Sequence, residues 1–155
     1  MKGNQKVIAQ LQLLLESEMS AFDQYFMHAR MYGDWGLGKL EERISHEAEE
    51  EKEHAQLLID RILFLESTPD LSKRTPLNIG SDVPSMLKND LDYEYEVADK
   101  LKTAIKVCEE EKDYESRQIL LRLLKDTEED HMFWLEQQLG LIDRMGLQNY
   151  IQSQV

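Results

Sequence analysis

Apolar positions recur at three- and four-residue steps along almost the whole chain, the period of a helix that buries one face. Four long stretches carry this pattern without an internal proline, at 5–34, 39–66, 84–111 and 115–140, and a short fifth follows at 147–153. Pro69, Pro76 and Pro84 all fall in STPDLSKRTPLNIGSDVP, residues 67–84, so the middle break is long. Pro84 suits a first helical turn, with Ser81 or Asp82 before it as the cap. The other two breaks, GDWGLG and KDY, are short. Short, long, short is the connectivity of an all-α four-helix bundle with one crossover, here carrying a short fifth helix at its end. No segment shows a comparable strand pattern. The 155 residues suffice for one domain, 1–155, with a single core.

The stripes themselves are irregular in one respect. The first reads Leu11, Leu15, Glu18, Phe22, Tyr25, Ala29, and the second Leu40, Ile44, Glu47, Glu51, His54, Leu58, Ile62, Leu65. The third reads Leu87, Leu91, Glu94, Ala98, Leu101, Ile105, and the fourth Leu120, Leu124, Glu128, His131, Leu135, Leu139. Each is apolar at both ends and interrupted near its middle by a glutamate. Two also carry a histidine three residues on, in Glu51/His54 and Glu128/His131. An uncompensated buried carboxylate costs several kcal/mol, and a fold has only about 5–15 kcal/mol to lose. Four such acids at matching depth require cations. Four carboxylates and two neutral imidazoles carry a charge that two divalent ions would cancel. The layout is duplicated: 33 residues separate Glu18 from Glu51 and 34 separate Glu94 from Glu128 (51−18 and 128−94). Oxygen-rich ligation with two imidazoles favours iron or manganese over structural zinc.

Charge narrows the partners. Asp and Glu number 31 against 18 Lys and Arg, a formal net charge of −13, which argues against nucleic acid and suits a protein that draws in cations. A single cysteine, Cys108, leaves no intrachain disulfide, so the cytoplasm is the expected compartment. No apolar run approaches a membrane span, and the N-terminal MKGNQKVIAQLQLLLESEMS lacks the features of a signal peptide.

The segments MKGNQKVI, QYFMHARMYGDWG, RILFLES, PLNIGSDVPSMLKNDL, HMFWLEQQLGLI and MGLQNYIQSQ resemble the bacterioferritins, over nearly the whole chain. The resemblance implies a ferritin-like four-helix bundle. It also implies a twenty-four-subunit cage that oxidises ferrous iron with O₂ or H₂O₂ and stores a ferric mineral. Glu18, Glu51, His54, Glu94, Glu128 and His131 fall on the ligands of an intra-subunit di-iron centre, with Glu51 and Glu128 as bridges and Glu18 and Glu94 terminal. Tyr25 matches a tyrosine beside that centre that can donate an electron. His46 falls on an inner-surface iron ligand, with Glu50 where relatives have aspartate. Asn149 and Gln152 match residues near the four-fold channels. A small ferredoxin-like donor is the implied partner for iron release.

One position departs from the family. Its haem b is ligated by a methionine two residues before the second-helix histidine, and this chain has Lys52 there. A protonated amine is no substitute for a thioether. Met19 lies in the same region without a matching role. The expectation is a homo-oligomer without haem, or a subunit that joins a haem-binding bacterioferritin partner in a mixed cage. Two alternatives share the bundle. One is a peroxide-reducing di-iron oxidase of the rubrerythrin type, which normally carries Cys-x-x-Cys pairs absent here. The other is a metal-free structural subunit, which leaves four centred glutamates unexplained. The remaining acids of EEEKE read as a solvated face, His28 as an ordinary polar histidine, Trp35 and Trp134 as packing, and Cys108 as a small buried hydrophobe.

Overall fold

A computed structural model describes residues 1–155. The chain is helical almost throughout. Helix α1 spans Gln5–Asp34, α2 Gly38–Phe64 and α3 Val83–Glu110. The fourth long helix is continuous but not uniform: α4 covers Tyr114–Lys125, a π-helical segment covers Asp126–Met132, and α5 covers Phe133–Met145. A short α6, Leu147–Ser153, follows. There is no strand.

Local chemistry starts and stops these helices. The Asn4 side chain accepts from the Lys6 and Val7 amides at the head of α1. Asp82 and Ser85 form a reciprocal capping box at the head of α3, with Pro84 in its first turn. The fourth helix runs past Gly140 and ends at Gly146, whose φ of 81° belongs to the left-handed region that favours glycine. The expectation of an end at 140 is corrected here. A glycine in a helix interior weakens it without breaking it, whereas the backbone turn requires one at 146.

The crossover, 65–82, lies along α1. Gln12 exchanges hydrogen bonds with the backbone of Asp70 (2.9 and 3.0 Å). Ser20 accepts from the Thr75 amide, Gln24 from the Asn78 amide and His28 from the Gly80 amide. These side chains share one face of α1, so a single helix satisfies the backbone of the long connection. Gly80 admits no side chain, since a Cβ would sit 2.5 Å from the Met86 amide nitrogen.

The core is one cluster running through all four long helices, including Leu11, Leu15, Leu40, Ile44, Leu58, Leu87, Leu101, Leu120 and Leu135. The stripes of α1, α2 and α3 follow the sequence pattern, with Phe22 and Ile105 partly exposed. The fourth does not. Its buried positions are Ser116, Leu120, Leu123, Thr127, His131, Leu135 and Gln138, and Leu124 and Glu128 sit at its half-exposed edge. The π segment is the cause, because it winds an extra residue into one turn and shifts the face upstream of His131 by one position.

Candidate metal centre

Six buried side chains meet midway along the bundle: Glu18 and Tyr25 from α1, Glu51 and His54 from α2, Glu94 from α3, and His131 from the π segment. Helical spacing places two of them on α1 and two on α2 one turn or two apart on the inward face. His54 Nδ1 lies 3.0 Å from Glu18 Oε2 and 3.6 Å from Glu51 Oε2. His131 Nδ1 lies 3.1 Å from Glu51 Oε1 and 3.3 Å from Glu94 Oε1. Glu51 therefore turns one oxygen toward each histidine. The Tyr25 hydroxyl donates to Glu94. The two imidazoles stack with centroids 6.0 Å apart. Glu18, Glu51 and His54 could hold one cation, and Glu51, Glu94 and His131 a second, with Glu51 common to both.

None of Glu18, Glu51 and Glu94 pairs with a lysine or arginine; their partners are His54, His131, Tyr25 and one another. Glu18 Oε1 is buried with no partner at all. Protons carry the positive charge instead. Burial, and then the Glu51 carboxylate, lift Glu18 to about 8. Burial opposes a charge on His54, but Glu18 and Glu51 outweigh it and push the imidazole up to about 12. His131 is likewise held well above the usual histidine range against its burial, by Glu94, Glu47, Glu50 and Glu51. Burial, then the Glu94 and Asp90 charges, raise the Tyr25 phenol well above its ordinary value. Such a site suits hard cations that displace those protons.

Acids just outside this cluster are treated differently. Glu47 is buried, but Arg43 binds it at 2.6 Å and holds Asp130 at 2.8 Å, while stacking over Trp134. His131 Nε2 lies between Glu47 Oε2 (2.5 Å) and Glu50 Oε2 (2.7 Å), and Glu50 also meets His46 Nε2 at 2.6 Å. The hydrogen bond from His131 draws Glu50 down to about 2, against its partial burial. Asp126 Oδ2 lies 3.0 Å from His54 Nε2.

Of the six ligands read from the sequence, the structure brings five together and leaves out Glu128. That side chain is 38% exposed and pairs with Lys102 at 3.2 Å, on the outer side of the helix. In an α-helix a Glu and a His three apart share a face; the π winding turns Glu128 away and puts Thr127 in its place. Thr127 is buried, and its hydroxyl donates to the Leu123 carbonyl (2.9 Å). The reading of EEEKE as solvated also needs correction. Glu49 and Glu53 face outward, whereas Glu50 turns toward His131. His46 is largely exposed and reaches Glu50. His28 is fully buried against Asp90. Trp35 is substantially exposed, not a packed core residue. Lys52 is half exposed, paired with Glu49 at 3.2 Å and set over the Phe22 ring. The sequence reading missed Asp126. Its only trace was the extra residue between Glu94 and Glu128.

A ferritin-like domain model matches residues 8–145. A bacterial ferritin of Synechocystis sp. is 62% identical over 155 residues, covering 100% of this chain and 99% of the relative. One of Neisseria meningitidis serogroup A is 56% identical over 155 residues, covering 100% of both chains. A bacterioferritin of Brucella melitensis biotype 1 is 40% identical over 150 residues, covering 97% of this chain and 92% of the relative. With a bundle of this connectivity around a carboxylate and imidazole cluster, and with relatives aligned over nearly their full lengths, the chain belongs to the ferritin-like family.

Proposed function

We propose that this chain is an iron-storage subunit whose buried cluster oxidises ferrous iron in pairs. The observation that carries the proposal is the contact among Glu18, Glu51 and Glu94 without any lysine or arginine to balance them. Iron enters as substrate. Glu18 and His54 hold one ferrous ion, Glu94 and His131 hold the other, and Glu51 offers an oxygen to each. Each ion gives up one electron. Together they reduce O₂ to H₂O₂ with two protons, or H₂O₂ to two waters with two protons, so no one-electron oxygen radical need escape. The anionic carboxylates favour the ferric product. Protons leave Glu18, His54 and His131 as the ions bind, since only the deprotonated groups ligate. Tyr25, donating to Glu94, is placed to supply an electron if an oxidising equivalent is left over.

The product accumulates as mineral inside a hollow twenty-four-subunit cage in the cytoplasm. Full-length similarity to bacterial ferritins supports this reading. No helix is long and apolar enough to cross a membrane. Lys52 at the haem-ligand position supports a cage without haem at sites formed by this chain alone, or one shared with a haem-binding subunit. Anaerobic Fe²⁺ titration followed by an O₂ or H₂O₂ pulse should show a fast optical phase saturating at two irons per subunit. A phase absent or saturating at one would defeat the paired mechanism. Native mass spectrometry of the purified protein should give the mass of twenty-four subunits, and a bis-methionine Soret band would contradict the haem-free reading.

A further inference from the structure

We propose that Thr75 of the crossover and Tyr93 of α3 are positioning residues, a clamp that sets the distance between the two halves of the metal centre. The inference rests on the paired-metal reading above. Glu18 and His54 come from the α1–α2 hairpin, whereas Glu94 and His131 come from α3 and the helix that follows it. The crossover is the only stretch of chain that joins these hairpins. Along the seam between α1 and α3 it also binds both sides.

Thr75 begins two hydrogen-bond chains. Its amide donates to Ser20 Oγ (2.7 Å), and that hydroxyl donates to the Glu16 carbonyl (2.8 Å). Its own hydroxyl lies 2.7 Å from the Tyr93 hydroxyl, which donates to the Ser17 carbonyl (2.9 Å). A phenol has one proton and a carbonyl only accepts, so the Thr75 hydroxyl is the donor to Tyr93. The chains end on successive carbonyls of α1, directly before Glu18. The second passes through Tyr93, directly before Glu94. Ser17, Ser20 and Tyr93 are buried, so a partner lost here is not replaced by bulk water. Successive helical residues point about 100° apart, so Glu94 turns into the bundle while Tyr93 turns to the seam. One crossover residue thus fixes the backbone beside a ligand of each half. Glu51 faces both ions, and the spacing of Glu18 and Glu94 follows that of α1 and α3. A two-electron oxidant needs both ions within reach at once, and a misplacement of about 1 Å can cost about 100-fold in rate.

The assembled protein is compared with its Tyr93→Phe, Thr75→Val and Thr75→Ser variants. The measurements are anaerobic Mn²⁺ titration read by electron paramagnetic resonance, stopped-flow ferrous oxidation and thermal unfolding. Lys100 of α3 also donates to Ser17 Oγ (3.0 Å), so the seam keeps a tie in every variant. Wild type should take up two Mn²⁺ per subunit and show the spectrum of a coupled pair. Tyr93→Phe and Thr75→Val should still take up two, with the coupling weakened and fast oxidation slowed about 10–100-fold. Thr75→Ser keeps both the amide and the hydroxyl and should match wild type. If only one of the first two variants assembles, that one decides. Wild-type coupling and rate in Tyr93→Phe or Thr75→Val overturns the proposal. Thr75→Ser behaving like Thr75→Val, or slow oxidation with an unchanged pair spectrum, marks a role in stability alone and overturns it too. Wild type that binds fewer than two Mn²⁺, or two without coupling, removes the paired-metal reading and this inference with it.

Discussion

Asp90 and Glu94 sit one turn apart on α3 and are both buried, yet they keep different company. Asp90 Oδ1 accepts from Gln24 Nε2 (2.8 Å) and lies 2.8 Å from His28 Nδ1, while Asp90 Oδ2 is buried without a hydrogen-bond partner. The other ends of those two side chains accept from the Asn78 and Gly80 amides of the crossover. One acid, one amide and one imidazole thus close on two backbone donors, and the set seats a loop. Glu94 meets Tyr25 and His131, with Glu51 and Glu18 close behind. Three acids share two histidines and a phenol there, and no backbone amide joins in. Burial alone does not mark a metal site. Several carboxylates converging without a lysine, arginine or backbone donor among them do, because their mutual repulsion calls for cations.

The contrast can be broken most directly by substitution. Glu94→Ala should abolish rapid ferrous oxidation in stopped flow, exceeding the roughly 10–100-fold loss typical of an outer-shell change. Rapid oxidation surviving in that variant would remove Glu94 from the site. Asp90→Ala should do the reverse. It strands a buried imidazole and amide, so denaturant unfolding should show a loss of about 2 kcal/mol, with the iron stoichiometry of the fast phase unchanged.

Proton linkage sharpens the comparison. Glu18 is raised from 4.5 to about 8, so its burial costs stability progressively as pH rises through that interval. His54 is raised from 6.5 to about 12, and its stabilising proton is lost over that higher interval. Both have the same sign. The metal-free protein should melt at lower temperature as pH rises from 5 to 9. Saturating Zn²⁺ should reverse the trend, since metal takes the deprotonated groups. A metal-free melting temperature that climbs across this range would show that the cluster is not held by protons.

The smallest effect is expected at Glu128. An exposed ion pair is worth about 1 kcal/mol or less, so Glu128→Ala should change the oxidation rate by less than about fivefold. A loss as large as that of Glu94→Ala would mean that the side chain swings inward when iron is present.

Much of this arrangement was legible in the residues. Leucine and isoleucine periodicity marked the long helices, and the clustered prolines marked the crossover. The glutamate interrupting the stripe of α1, α2 and α3 pointed to Glu18, Glu51 and Glu94. The fourth helix was misjudged because a stripe traced at α-helical steps presumes an α-helix throughout. Leu124 and Glu128 satisfied that period as well as Leu123 and Thr127, and only the one-residue difference between the halves hinted otherwise. His28 looked unremarkable because its partners, Asp90 and the Gly80 amide, lie 62 and 52 positions away in the chain.

The residues by themselves determined the helical bundle, its single crossover and the presence of unbalanced acids in its interior, because periodicity and charge are properties of local sequence. Which oxygen faces which nitrogen was decided only in the folded molecule. A single extra residue can be wound into a π-turn, and whether Glu128 or Asp126 then faces α2 depends on the helices packed around it.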